Sequence, residues 1–193
     1  MIKKVEEIYT KRIVKFQEHI ANQILTDSLH FIATYYISKA PVLYKNRFEG
    51  EYTPVKVGDV WGEAWDNAWF HLKGVVPESW KNKKVVANLD FTGEGLIFDK
   101  DVPVQGITSS SVYNKDFKRD IYPLFEQCKG GEEIELWIET VAVGYLGLNL
   151  PFDPKPNDSD RYGEFKSTVN KMQFAIFNEE LWHLWLDIEV LNG

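Results

Sequence analysis

Cysteine is almost absent from this chain: Cys128 is the single one among 193 residues. No internal disulfide can form, and no cysteine-pair metal site exists. Basic residues are outnumbered, with 22 Lys and Arg against 29 Asp and Glu, for a net charge of −7. That deficit excludes a surface built for nucleic acid or for anionic lipid, since both need clustered positive charge. Long apolar runs are missing as well. The start, Met1-Ile-Lys-Lys-Val-Glu-Glu, has lysines with no hydrophobic stretch behind them. Neither a signal peptide nor a membrane anchor is expected there, and a cytoplasmic location is the plain expectation. Glycine-rich phosphate loops, His-Glu-x-x-His and Gly-x-Ser-x-Gly are all lacking. The histidines, His19, His30, His71 and His183, stand far apart without metal-ligand spacing. No catalytic residue, metal ligand or cofactor is therefore assigned within these residues. Carboxylates abound, but a glycosidase pair is defined by separation in space, which spacing along the chain does not report. Asp158-Ser-Asp160-Arg161 offers oxygen ligands without the pattern of a calcium loop and reads as a solvated turn.

What the chain does have is aromatic residues, 15% of the total, including seven tryptophans. Three of them, Trp61, Trp65 and Trp69, recur at a spacing of four within Gly58–Phe70. Gly58, Gly62, Asp66 and Asn67 lie among them and favour turns, so the stretch predicts an aromatic-rich turn feeding a strand that begins near Asn67. Before it, Val5, Ile8, Tyr9, Ile13, Phe16, Ile20 and Ile24 recur at helical steps and predict a helix over 3–25. Thr26-Asp27-Ser28 reads as the cap of a shorter helix over 29–37. From Pro41 the helical period gives way to short alternating runs bounded by turn formers. Strands are expected at 67–76, 84–91, 94–98, 103–108, 133–141 and 167–177. In 133–138, Ile134, Leu136 and Ile138 oppose Glu133, Glu135 and Trp137. Residues 147–165, rich in proline and turn formers, read as a long exposed loop. Asn178 caps a last helix over 179–191, in which Leu181, Leu184, Trp185, Ile188 and Leu191 form one apolar stripe and Trp182, Leu186 and Val190 a second. A helix so apolar expects partners on more than one side, from a further domain or an oligomer.

These elements imply a mainly β protein, an antiparallel sandwich or barrel, with a helical segment at 1–40, a β-sandwich at 41–177 and a helix at 178–193. Sugars present apolar ring faces and hydroxyls, and are met by aromatic rings beside planar polar groups. Trp61, Trp65, Asp66 and Trp69 fit that chemistry by type, and so do Trp80, Tyr113 and Trp137; equally, such residues serve as turn anchors and core. Glu94 and Gln105 are expected to face each other across a hairpin of 94–98 with 103–108, at the sandwich rim. Gly93 and Gly95 in that turn suit a close backbone approach or positive φ.

Several runs are similar to those of one family. They are Gly62-Glu-Ala-Trp-Asp-Asn-Ala-Trp-Phe-His-Leu, Val76-Pro-Glu-Ser-Trp80, Asp90-Phe-Thr-Gly-Glu-Gly-Leu-Ile-Phe98, Pro103-Val-Gln-Gly-Ile-Thr108 and Met172–Leu191. They resemble the N-terminal ancillary domain of glycoside hydrolase family 38 α-mannosidases, the cytosolic and vacuolar type with its bacterial relatives. The resemblance implies a galactose-binding-domain-like jelly roll leading to a zinc-dependent retaining α-mannosidase domain. It places the zinc and its ligands downstream, since the His-x-Asp-type motif of the catalytic domain is missing from these residues, and no catalytic residue is carried over. Asp99-Lys-Asp-Val departs from the short Asp-Gly turn of relatives. The role implied is to brace or assemble the catalytic domain, with that domain as partner and with mannose-containing glycans and a second copy of the chain as further expected partners. An independent carbohydrate-binding module, carrying Trp61, Trp65, Asp66, Glu94 and Gln105, and a protein-interaction domain are the other readings.

Overall fold

The computed structural model describes residues 2–109, 118–143 and 166–192. Helix α1 (Ile2–Ile24) leads into strands β1 (Leu25–His30), β2 (Ile32–Ser38), β3 (Thr53–Val55), β4 (Val60–Glu63) and β5 (Asn67–Val75). Then come β6 (Val85–Asp90), β7 (Glu94–Asp99), β8 (Val102–Thr108), β9 (Ile121–Phe125) and β10 (Glu133–Val141). β11 (Lys166–Thr168), β12 (Lys171–Phe177) and helix α2 (Glu179–Asn192) close the order. A six-stranded sheet, β3-β2-β5-β10-β7-β8, faces a four-stranded one, β1-β12-β6-β9, and β11 pairs with β4 beside them. All pairings are antiparallel. This is the expected jelly-roll sandwich.

The core follows from alternation. Phe70, Leu72, Leu136, Ile138 and Ile97 project from the six-stranded sheet onto Val85, Ala87, Leu89, Met172 and Phe174 of the other. The alternation read in 133–138 puts Ile134, Leu136 and Ile138 on the buried face observed, and on β12 Met172 and Phe174 are buried likewise. Residues 29–37, however, are not a helix. Ile32, Thr34, Tyr35, Tyr36 and Ile37 are β-branched or aromatic, and β2 pairs with β5 from Ile32↔Lys73 to Ser38↔Asn67. The helical segment thus ends at Ile24, and 25–38 belong to the sheets. The run 167–177 is divided at Val169–Asn170, whose amides donate to Asp59 O (3.0 Å) and Asp90 O (2.8 Å).

A second layer covers the outer face of the six-stranded sheet. Trp69, Phe98 and Trp137 lie there under the strap of residues 39–52. Trp69 Nε1 donates to Val42 O at 2.9 Å. The Arg47 guanidinium sits 3.7 Å from the Tyr44 ring centroid and 4.8 Å from that of Trp137, and Nη2 reaches Asp101 at 3.1 Å. Burial, then the hydrogen bond to Asp101, pushes the Tyr44 phenol up to about 12. The strap explains why Trp137 is buried although it projects from the face opposite Ile138. The loop expected at 147–165 and Tyr113 lie outside the described residues.

Candidate functional site

The structure disperses the aromatic and polar residues singled out from the sequence. Trp61 is in the sandwich core, 2% exposed, with its Nε1 donating to Phe91 O at 2.7 Å and its ring edge-on to Phe70. Trp80 is also core. Trp65 is 59% exposed and sits at φ 69° in the turn between β4 and β5, where its amide donates to Ala142 O. Asp66 is buried and braces that turn: Oδ2 accepts from Glu63 N at 3.0 Å, and Oδ1 from Lys39 Nζ at 2.7 Å. It is committed to the chain's own groups. Glu94 and Gln105 do not face each other, because the β7–β8 ladder pairs Glu94 with Thr108 and Gln105 with Ile97. Glu94 is exposed, while Gln105 reaches the other sheet, its Nε2 donating to Ile121 O at 2.8 Å.

Gln105 leads to a groove of about 570 Å3 between the helix pair and the outer face of the four-stranded sheet. α1 and α2 run antiparallel: Asn178 N donates to Ile24 O at one end, and Gln17 Nε2 to Glu189 Oε2 nearer the other. Asn178 caps α2, its Oδ1 accepting from Leu181 N at 3.1 Å. Ala21, Ile24, Trp182, Trp185 and Leu186 form the helical wall, and Val86 and Asn88 of β6 lie buried at the floor. Ile121 and Pro123 form the opposite wall, and the Lys171–Asp120 pair, at 2.8 Å, closes one end. At the other end Lys84 Nζ bridges Glu179 (2.7 Å) and Glu126 (2.9 Å). Its hydrogen bond to Glu179 holds the lysine pKa above its usual value and the Glu179 pKa below.

Spacing offers no route to this groove, because its polar groups come from β6, β8, the segment before β9, β12 and α2. The only legible sign was the apolar excess of α2. That excess is real: none of its described side chains is buried, and Val190 and Leu191 are 76% and 84% exposed. On α1, Ile20 and Ile24 are buried, whereas Ile8, Tyr9, Ile13 and Phe16 of the same stripe are exposed. Among the described residues no helix is long and apolar enough to cross a membrane.

The family model for the jelly-roll domain of α-mannosidase, of the Ams1-like kind, matches residues 28–169. This chain belongs to the α-mannosidase family. The jelly-roll domain is 30% identical over 150 residues to α-mannosidase G of Dictyostelium discoideum, covering 78% of this chain and 13% of that protein. With α-mannosidase 2C1 of Mus musculus it shares 23% identity over 177 residues, 91% of this chain and 16% of that protein. The α-mannosidase jelly roll thus spans under one-fifth of the length of these relatives. Among solved structures, a β-glucuronidase from Ruminococcus gnavus aligns with 78% of the chain and 28% of its own, at 14% identity and a TM-score of 0.46, too loosely to carry an argument.

The fold explains the motif run Gly93-Glu-Gly of this α-mannosidase domain. Neither glycine has positive φ; the reason for them is close approach. A Cβ at Gly93 would stand 2.3 Å from Val141 O, and one at Gly95 2.9 Å from Glu139 O. Among the described residues no three His, Cys, Asp or Glu side chains lie together in a way that could hold a metal ion.

Proposed function

We propose that this jelly roll is the non-catalytic N-terminal domain of a zinc-dependent, retaining α-mannosidase, and that it braces a downstream catalytic domain. The observation that carries the reading is the family match confined to a domain that makes up 13–16% of full-length α-mannosidases. The surface of α2 supports a bracing role. Leu184, Val190 and Leu191 lie exposed on a helix that, among the described residues, packs chiefly on α1, and exposed apolar surface of that kind suits a second domain. Zinc and the nucleophilic carboxylate would then be supplied by that other domain, and hydrolysis of α-mannosides in the cytoplasm would be the work of the whole enzyme.

The test has two arms. The 193-residue chain is assayed with 4-nitrophenyl α-mannoside, with and without added zinc, beside a longer chain that carries the downstream domain. Zinc-dependent turnover is expected of the longer chain alone, and zinc-dependent turnover by the jelly roll on its own would refute the reading. Charged substitutions at Val190 and Leu191 are expected to lower the melting temperature of the longer chain and to leave that of the 193-residue chain unchanged.

A further inference from the structure

We propose that the groove between the α1–α2 pair and the four-stranded sheet is a binding site for a neutral sugar, a hexopyranoside at the end of a glycan. A sugar hydroxyl both donates and accepts hydrogen bonds, and the ring has an apolar C–H face. A site for it therefore needs fixed acceptors and donors beside an aromatic wall. The groove has each part. Gln105 and Asn88 use their amide nitrogens on the backbone, at 2.8 Å to Ile121 O and 3.4 Å to Asp120 O, which orients both amides and leaves their oxygens as acceptors. The Lys171–Asp120 pair sets an ammonium and a carboxylate 2.8 Å apart at the groove end, a spacing that adjacent hydroxyls of a pyranose can bridge. Trp182 and Trp185 supply the aromatic wall, and about 570 Å3 lies within the range of small-ligand sites, roughly 300–1,000 Å3.

Charge decides between ligand classes. Four cations line the groove, Lys84, Lys118, Arg119 and Lys171, and four carboxylates offset them: Glu126 and Glu179 on Lys84, Asp90 on Lys118, and Asp120, beside Arg119 in sequence, on Lys171. An anionic ligand would have to displace these partners. An apolar peptide would strip water from Asn88, Gln105 and the ion pair without replacing its hydrogen bonds, which is costly for groups already half-desolvated. A neutral polyol does neither. Of the described residues expected from sequence to meet sugar, only Gln105 is in this groove; the others named here come from elements that the chain brings together only on folding.

The test is a titration of the 193-residue chain with methyl α-mannoside, methyl α-glucoside and methyl β-galactoside, read by tryptophan emission and by calorimetry. Only the inclusion of the mannoside rests on the α-mannosidase reading, and saturable binding of any of the three upholds the groove. Gln105→Leu and Lys171→Met are each expected to weaken binding at least about tenfold, a loss of about 1.4 kcal/mol. Trp65→Ala, whose ring lies outside the groove, is expected to leave it unchanged. Thermal melts confirm that the variants fold, and Lys171→Met, at the groove end, carries the test if Gln105→Leu does not. The proposal is overturned by no saturable signal up to about 10 mM sugar, or by full-strength binding in a folded Lys171→Met variant. It is also overturned if a longer chain loses the binding because its next domain fills the groove. The aryl mannoside assay is independent of all these outcomes, so failure of one reading is distinguishable from failure of the other.

Discussion

Replacing Trp61 by Phe separates a structural tryptophan from a sugar-facing one. Its indole is 2% exposed and donates to Phe91 O at 2.7 Å, while its ring meets Phe70 edge-on at 5.5 Å. Phenylalanine keeps an aromatic ring but removes that donor from a buried carbonyl, at about 1–3 kcal/mol. It also leaves unfilled volume between Phe70 and Phe91, to be charged at the cavity rate of core truncations. The expected total is about 3 kcal/mol. With a urea m-value of about 2–3 kcal/mol/M, the midpoint falls by about 1 M with m unchanged. Far-UV circular dichroism is the suitable probe, because emission changes with any tryptophan removed. Trp65→Phe is the control: at 59% exposure it is expected to stay within about 0.5 kcal/mol. A Trp61→Phe loss below about 0.5 kcal/mol, or one equalled by Trp65→Phe, would refute the placement of Trp61 in the core.

Asp66→Ala removes the acceptor of Glu63 N and the partner of Lys39, and is expected to cost about 1–2 kcal/mol in urea unfolding; Lys39→Ala, which removes only a solvent-exposed ammonium, should cost less. Gly93→Ala forces a Cβ to within 2.3 Å of Val141 O, so a loss of at least about 2 kcal/mol is expected, and a neutral result would mean that the β7 end shifts freely. His71 lies flat on Trp137 at 3.8 Å, and its burial lowers its pKa, outweighing the hydrogen bond to Glu135. A group depressed on folding is more readily protonated when unfolded, so stability is full above the unfolded value near 6.5 and declines as pH falls through the lower, folded pKa. Melting temperatures measured across that interval should show this slope, and His71→Phe should flatten it.

Local chemistry was enough for much of the fold. Period-two runs such as Glu133–Ile138 are unambiguous because one sheet face must exclude water whatever lies opposite. α1 and α2 were readable because their apolar stripes and the Asn178 cap act within a few turns of chain. The N-terminal strands were not. Residues 29–37 become strand because distant strands are present to pair with them: β12 for Leu29 and His30, and β5 for Ile32 onward, from Ile32↔Lys73 to Ser38↔Asn67. Trp61 and Trp65 look alike in sequence, four residues apart, yet one ends in the core and the other in water. A left-handed turn at Trp65, held by Asp66 and by Ala142, reverses the chain between them. Family membership was legible because motifs such as Gly93-Glu-Gly record backbone contacts that any relative with the same strand pairing must make. The groove was not, since Asn88, Gln105, Asp120, Lys171 and Trp182 share no spacing. Their proximity comes from the crossing of two sheets and a helix pair, which only the tertiary structure decides.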